Sequence, residues 1–316
     1  CLGLGQLHAP GNGFSYCNAG FVMAGRIIEK LRGITWDRAL RDHLLKPLGI
    51  DSLHTKPEWA LYYRAAIGHV ANPENGKPMV APMPFLPQSN GPAGATPFGR
   101  ARDLLTFAAA HLDGGGDVLS ADSVRQMQQL ELHTPEGSRA DSWGLGWMRF
   151  DWSGRDVIGH DGATFGQFAS LRVVPDAAVS VSLLSNGGDY GLLSRLVMND
   201  VLGELCDIEL SPLLEPSPSI AIDQDRYIGT YERFAERLVV ESNGEGLILA
   251  KTTRFPAILA VMKPLEPVAL EPVNESVFLF ADPASKLKTS ITFLDFDDDG
   301  RSHAAHTAMR IAPRIS

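Results

Sequence analysis

Pro10-Gly11-Asn12-Gly13-Phe14-Ser15-Tyr16-Cys17-Asn18-Ala19-Gly20-Phe21 joins a turn-rich lead to the start of a helix. After Asn18, the residues Phe21, Val22, Ala24, Gly25, Ile27, Ile28 and Leu31 keep an apolar face at helical spacing. Gly33 stops that helix as a C-terminal cap does. Tyr16 and Asn18 admit two readings. In one, Tyr16 is an aromatic packing residue and Asn18 is the N-cap, a position that asparagine fills well. In the other they carry chemistry. A tyrosine hydroxyl titrates at about 10 and becomes useful as a proton shuttle only beside a cation. An Asn two residues on can hold that cation and a substrate carbonyl together.

Downstream, Thr35 can cap a second helix that runs through Leu45 and ends at Pro47 and Gly49. The polar, Pro- and Gly-rich stretch 72–99 keeps neither period and reads as a long surface excursion, of a kind that often borders active sites. Asp103 to Leu112 is a third helix, closed by Gly114-Gly115-Gly116, and Ser120 or Asp122 starts a fourth that runs to about Leu130. The period then changes. Trp143 to Phe150, Asp156 to His160, Gln167 to Val174 and Ala178 to Ser185 read as strands, with Pro175-Asp176 turning between the last two. Tyr190 to Leu205 returns to helix. Residues 1–209 therefore predict an α+β domain with helices packed on an antiparallel sheet. The Pro- and Ser-rich segment 210–222 is a linker by composition. In 223–316, short apolar runs at 238–240, 247–249, 277–280 and 291–294 lie between Asn-Gly and Asp-Gly turns, a pattern for a small all-β barrel or sandwich.

Gly159-His160-Asp161-Gly162-Ala163-Thr164-Phe165-Gly166 lies between two of the predicted strands. One reading makes it a glycine-rich hairpin with an exposed His. The other notes that three glycines around one His let a ligand approach the backbone. A free backbone N–H there could serve as half of an oxyanion hole, a large term in acyl transfer.

Composition narrows the function classes. The chain has 316 residues, 44% of them hydrophobic and 21% charged, with 28 basic against 37 acidic side chains and a net charge of −9. No basic footprint is available for nucleic acid or an anionic membrane. No apolar run reaches the ~18 residues of a membrane-spanning helix. Cys1, Cys17 and Cys206 are odd in number and lack metal spacing, so neither a disulfide framework nor a metal or other cofactor is expected. The chain opens on Cys1-Leu2-Gly3-Leu4-Gly5, which reads like the middle of a protein.

Taken together and in order, these stretches resemble the serine β-lactamase/penicillin-binding superfamily, in its class C and D-peptidase-like branch. Residues 10–21, then Gly25-Arg26-Ile27-Ile28-Glu29 and Pro47-Leu48-Gly49-Ile50, are similar to its "PG…F-x-Y-S-N-x-G-Y…L-G-x-I-I-E…PLGM" signature. Pro92-Ala93-Gly94-Ala95 with Ala101-Arg102-Asp103-Leu104 resembles "AGG…S-T-A-x-D-L", and Trp143-Gly144-Leu145-Gly146-Trp147 resembles "YGLGW". Gly159-His160-Asp161-Gly162 is similar to the third motif in its His-x-Gly form. The resemblance covers roughly residues 7–205, and 223–316, with Tyr227-Ile228-Gly229-Thr230-Tyr231, resembles the lipocalin-like barrel often appended to such hydrolases.

The resemblance implies a β-lactamase/transpeptidase-like fold, incomplete in this chain, and roles for particular residues. Tyr16 would relay the nucleophile's proton to the leaving group. Asn18 would position the catalytic Lys and the acyl side of the substrate. His160 would polarise or hydrogen-bond the substrate, Gly162 would keep the strand open, and the Ala163 N–H would be the oxyanion donor. Asp161 and Thr164 would contact substrate. The His form of the motif tilts the substrate toward a peptide, amide or ester acyl group. The family's Ser-x-x-Lys has no counterpart upstream of Tyr16; the match at Ser285-Lys286-Leu287-Lys288 falls in the β domain and is set aside as chance. The chain is therefore expected to be completed by an N-terminal polypeptide carrying Ser-x-x-Lys, as a processed or split partner, or to be a fragment. Two alternatives stand beside this. Cys1 could act as an N-terminal nucleophile with its own α-amine as base. The chain could also be a catalytically inactive binding or assembly protein that keeps the fold.

Overall fold

The computed structural model describes residues 5–72, 74–255, 266–282 and 285–316. They form two compact units. One comprises Cys17–Glu131 with Ser142–Ser211, and the other comprises the described residues up to Tyr16, Leu132–Asp141 and those of Pro212–Ser316.

In the first unit, helix α1 spans Asn18–Arg32 and ends on Gly33, whose φ of 66° lets its N–H reach Glu29 O. Of its residues only Gly25 is buried, and a Cβ there would overlap the Pro92 ring. Its large apolar side chains, Phe21, Met23, Ile27, Ile28 and Leu31, are exposed, Leu31 to 81%. Helix α2, Trp36–Leu40, is capped by Thr35 and passes into a π-type turn at Arg41–Leu45. The expected surface excursion is more ordered than its composition implies. Strands β1, His69–Ala71, and β2, Pro78–Val80, pair in a hairpin, and a 3-10 turn covers Gln88–Ala93. Ala81, Gly91 and Thr96 are buried there, so tertiary packing holds a segment that shows no period of its own. Helix α3, Ala101–Leu112, begins where Asp103 accepts from the Arg100 N–H (2.8 Å) and from Ser52 Oγ (2.7 Å). Helix α4, Ala121–Gln128, is capped by Ser120.

Strand β3, Leu132–His133, falls in the other unit. After it, β4 (Ser142–Trp143), β5 (Met148–Trp152), β6 (Arg155–Thr164), β7 (Gln167–Val174) and β8 (Val179–Ser185) run antiparallel in chain order. The expected strand Trp143 to Phe150 is broken. Gly146 takes φ 85° and Leu145 N bonds Met127 O, so Gly144 to Trp147 turns instead of extending. One face of the sheet packs Ile158, Leu171 and Val173 with Trp147 against Ala108 of α3. The other face meets helix α5, Tyr190–Cys206, where Ser170 and Ser194 lie 3.0 Å apart. Helices on an antiparallel sheet are thus the architecture of this unit.

The second unit holds eight strands: β9 (Gly229–Arg233), β10 (Glu236–Ser242), β11 (Leu247–Thr253), β12 (Val268–Pro272), β13 (Val277–Phe280), β14 (Thr289–Phe296), β15 (Ser302–Thr307) and β16 (Arg310–Pro313). Each pairs antiparallel with the next. Thr230 N to Ser316 O (2.9 Å) and Ile315 N to Thr230 O (2.8 Å) bring the ends together in a nearly closed barrel. Its interior is filled, with Tyr227, Tyr231, Leu238, Phe278 and Phe293 buried and Tyr231 donating to Tyr227 O at 2.8 Å. Four strands lay outside the expected runs. Val268–Pro272 contains a proline, and Ser302–Thr307 buries small and polar residues that carry no apolar signal.

His306 on β15 is buried, and burial, reinforced by Arg233, lowers its pKa from 6.5 to about 4. The unfolded chain therefore binds the extra proton between those two values while the folded barrel does not. Stability falls as pH drops through that window and is independent of this group below it. The full effect is about 3 kcal/mol. Urea-denaturation midpoints above and within the window will show the loss, and His306→Gln will flatten it; an equal loss in the variant would assign it to other groups.

Candidate active site

Residues 160–164 form the second half of β6 rather than a loop between strands. Pairing with β5 stops at Gly159 opposite Met148, whereas pairing with β7 continues to Thr164 opposite Gln167. The strand-to-strand turn is the two-residue Phe165-Gly166, and such a turn closes on a hydrogen-bonded pair. Bonded pairs then alternate, so Thr164, Gly162 and His160 bond β7 while the N–H groups of Ala163 and Asp161 point away from it. On that side β5 has already ended. The three glycines are not equivalent. A Cβ at Gly159 would collide with Leu171 O and one at Gly166, already at φ 67°, with the His69 backbone. At Gly162 it would meet only Ala169 Cβ, at 3.7 Å. Two glycines thus serve the fold, and one leaves room.

His160 is half-buried with its ring edge-on to Trp143, centroids 5.7 Å apart. Burial lowers its pKa, so the ring is neutral at neutral pH. Its Nδ1 lies 2.7 Å from Asp161 O. A carbonyl only accepts, so Nδ1 carries the proton and Nε2 is the acceptor. Asp161 points to the opposite face of the sheet. Its carboxylate accepts from Arg172 Nη1 (2.8 Å) and Nη2 (3.1 Å) and from Ser170 Oγ (2.6 Å). Arg172, with its side chain 7% exposed, also stacks over the Phe150 ring at 4.5 Å. The carboxylate expected to meet substrate is instead engaged by the protein, and Arg172 is a partner that the sequence reading missed. Thr164 is half-buried in the pair that closes the hairpin.

Asn18 is not the N-cap. It is the first residue of α1 and is exposed, while Cys17, at the cap position, makes no side-chain cap bond. Cys17 is an exposed free thiol. Tyr16 falls in the barrel unit. Its N–H donates to Met309 O (2.8 Å), and Ser15 Oγ accepts from Ile311 N (3.2 Å). Burial pushes the Tyr16 hydroxyl pKa up and the Arg310 guanidinium opposes it. Cys1 lies outside the described residues. Among the described residues no cluster of three or more His, Cys, Asp and Glu could hold a metal, and no helix is long and apolar enough to cross a membrane. A cleft of about 360 Å³ opens beside Asp51, Tyr63, Arg100 and Arg102, and none of Tyr16, Asn18 and His160 to Thr164 lines it.

The Beta-lactamase family model matches residues 2–196, the stretch that holds both motifs. The chain belongs to the Beta-lactamase family. Penicillin-binding protein 4 of Amycolatopsis lactamdurans is 41% identical over 246 residues, covering 74% of this chain. This chain spans only 63% of that relative's length. Among solved structures, SurE aligns over 100% of this chain and 71% of its own with a TM-score of 0.73 at 25% identity, barrel included. A D-stereospecific amidohydrolase from a Streptomyces species aligns over 63% of this chain and 57% of its own, with a TM-score of 0.51 and 25% identity. The family assignment and the α+β fold followed by a barrel, consistent with a lipocalin-like one, agree with the reading from sequence.

Proposed function

We propose that this chain carries the Tyr-x-Asn and His-x-Gly part of a serine hydrolase that acts on an amide, peptide or ester acyl group. The nucleophilic Ser-x-x-Lys is supplied by an N-terminal polypeptide. The observation that carries this is α1, which keeps its large apolar residues Phe21, Met23, Ile27, Ile28 and Leu31 in solvent. Burying five such side chains would contribute about 1.5–3 kcal/mol each, so a covering segment would be held firmly. Exposed Leu193, Leu196 and Leu205 on α5 support a second contact area for it.

In this reading the Tyr16 phenolate takes the serine proton as the serine oxygen bonds the acyl carbon, and returns it to the departing amine or alcohol. Water then repeats the sequence and releases the acid. The Ala163 N–H donates to the oxyanion, and neutral His160 accepts through Nε2. Asn18 holds the lysine and the acyl side chain, and Thr164 meets the substrate beyond it. The D-stereospecific amidohydrolase likeness supports a D-aminoacyl substrate.

Two measurements test this. Intact mass and N-terminal sequencing of the native preparation will find a Ser-x-x-Lys polypeptide with this chain; turnover by this chain alone would reject the partner. D-aminoacyl amides or esters will be hydrolysed at least about ten-fold faster than their L forms, the scale of ~1.4 kcal/mol in the transition state. Equal rates would reject the stereochemical assignment.

A further inference from the structure

We infer that Phe85, Phe98, His54, Trp59 and Tyr62 form a ladder of rings that binds the distal residues of a peptide substrate, beginning at the end of the His160 strand. The inference deepens the acyl-hydrolase reading above and rests on it. The sheet fixes the inner end. Gln167, which pairs with Thr164 as β7 begins, donates from Nε2 to Pro84 O at 2.9 Å, and Phe85 follows in the chain. A Cβ at Gly68 would overlap Phe165 O, and one at Gly166 the His69 backbone, so the start of the β1–β2 hairpin lies tight on the same turn. From Phe85 the rings follow one another. Its centre lies 6.2 Å from that of Phe98, and Phe98 lies 5.9 Å from His54. Two backbone bonds hold that second pair, His54 N to Phe98 O at 2.9 Å and Phe98 N to His54 O at 2.8 Å. His54 stacks on Trp59 at 4.9 Å with planes 10° apart, and Trp59 meets Tyr62 at 5.6 Å. These last two rings come from the 3-10 turn Pro57–Tyr62, in which side chains three positions apart lie over one another.

Phe85, Trp59 and Tyr62 are exposed, Tyr62 to 78%, while Phe98 and His54 between them are half-buried. Rings braced on one another lose little freedom when a chain lies across them, and broad apolar faces with polar tips are what peptide-binding surfaces use. Tyr63, its hydroxyl 2.8 Å from His54 Nε2, also lines the cleft of about 360 Å³, so the outer end of the ladder opens on a recess. The four ring separations carry the ladder at most about 23 Å, the reach of about six extended residues. Ala163, the proposed oxyanion donor, is one residue from the Thr164–Gln167 pair to which the ladder is tied. That continuity assigns the ladder to the substrate, and its apolar faces fit side chains of the leucine and phenylalanine type.

The test uses the protein as naturally produced and compares acetyl-D-leucine amide with the same unit extended by five leucine and phenylalanine residues. One series extends the acyl side and a second the leaving side. In one of them kcat/KM will rise at least about ten-fold with length, because remote contacts are used in the transition state. Trp59→Ala and Tyr62→Ala will each remove most of that gain and change the short amide by less than about two-fold. The exposure of Tyr62 lets Tyr62→Ala carry the test should Trp59→Ala not fold. No gain with length in either series, or a gain that both variants keep, would overturn the inference. So would an equal fall for short and long amides, which would assign the rings to contact with the N-terminal polypeptide or a second copy, told apart by light scattering. If no amide is cleaved, the hydrolase reading fails by itself and the ladder is judged by binding. The long peptides will then change the part of the tryptophan fluorescence that Trp59→Phe removes, and an unchanged signal would overturn the ladder.

Discussion

Tyr16→Phe lowers kcat of the natural protein by roughly a hundred- to ten-thousand-fold, the span that a positioned general acid–base group contributes. The hydroxyl alone is removed. The ring keeps its place beside the Met309–Arg310 hairpin, and the backbone bond from Tyr16 N to Met309 O does not involve the side chain. Binding should therefore be spared, and the loss should appear in kcat and kcat/KM equally. Steady-state kinetics on an activated ester and on an amide separate the two halves of the role. An amide needs its leaving nitrogen protonated and will suffer more than an ester. A chain that merely keeps the fold as a binding or assembly module would show no turnover even with the Ser-x-x-Lys segment present, whereas full turnover in Tyr16→Phe would remove Tyr16 from the chemistry.

Arg172→Met destabilises the first unit by about 3–5 kcal/mol, the cost of breaking a buried ion pair from one side. Asp161 would keep its carboxylate with Ser170 but lose both guanidinium bonds. The double variant Arg172→Met/Asp161→Leu should recover most of the loss, because removing both partners leaves no uncompensated charge. Urea denaturation followed by tryptophan fluorescence measures both. A single-variant loss below about 1 kcal/mol would place the pair with ordinary surface bridges and contradict its burial. The consequence for chemistry is local. The pair ties β6 to β7 at the residue after His160, and through that residue's carbonyl it sets the His160 ring.

Much of this was legible in the residues, and the limits have physical causes. Helix α1 was readable because its period and its Gly33 cap are local properties. The same period predicts a buried face, and α1 buries only Gly25, because what covers a helix is not written in the helix. The His-x-Gly segment read as a loop because glycines signal turns. Gly159 is there instead because Leu171 O leaves no room for a Cβ, a constraint set by a strand twelve residues away in the chain. Asp161 reads as a substrate ligand only from its place in the motif, and its carboxylate is bonded by Arg172 and Ser170. Its partner Arg172 sits on the next strand, and only the register that pairs Asp161 with Ser170 brings them together. Arg310 had no signal at all near Tyr16: 294 positions separate them, and the contact exists only because the β15–β16 turn meets the Ser15-Tyr16 backbone.

The central claim is that this chain supplies the proton-handling and oxyanion elements of a serine hydrolase while its nucleophile lies in Ser-x-x-Lys elsewhere. Labelling the catalytically active native preparation with a fluorophosphonate or penicillin probe, followed by peptide mapping, tests it most directly. The probe will modify a serine followed three residues later by lysine, outside the 316 residues of this chain, with activity lost in proportion to labelling. Continued turnover with no serine modified, or loss of activity on alkylating Cys1 alone, would contradict the account.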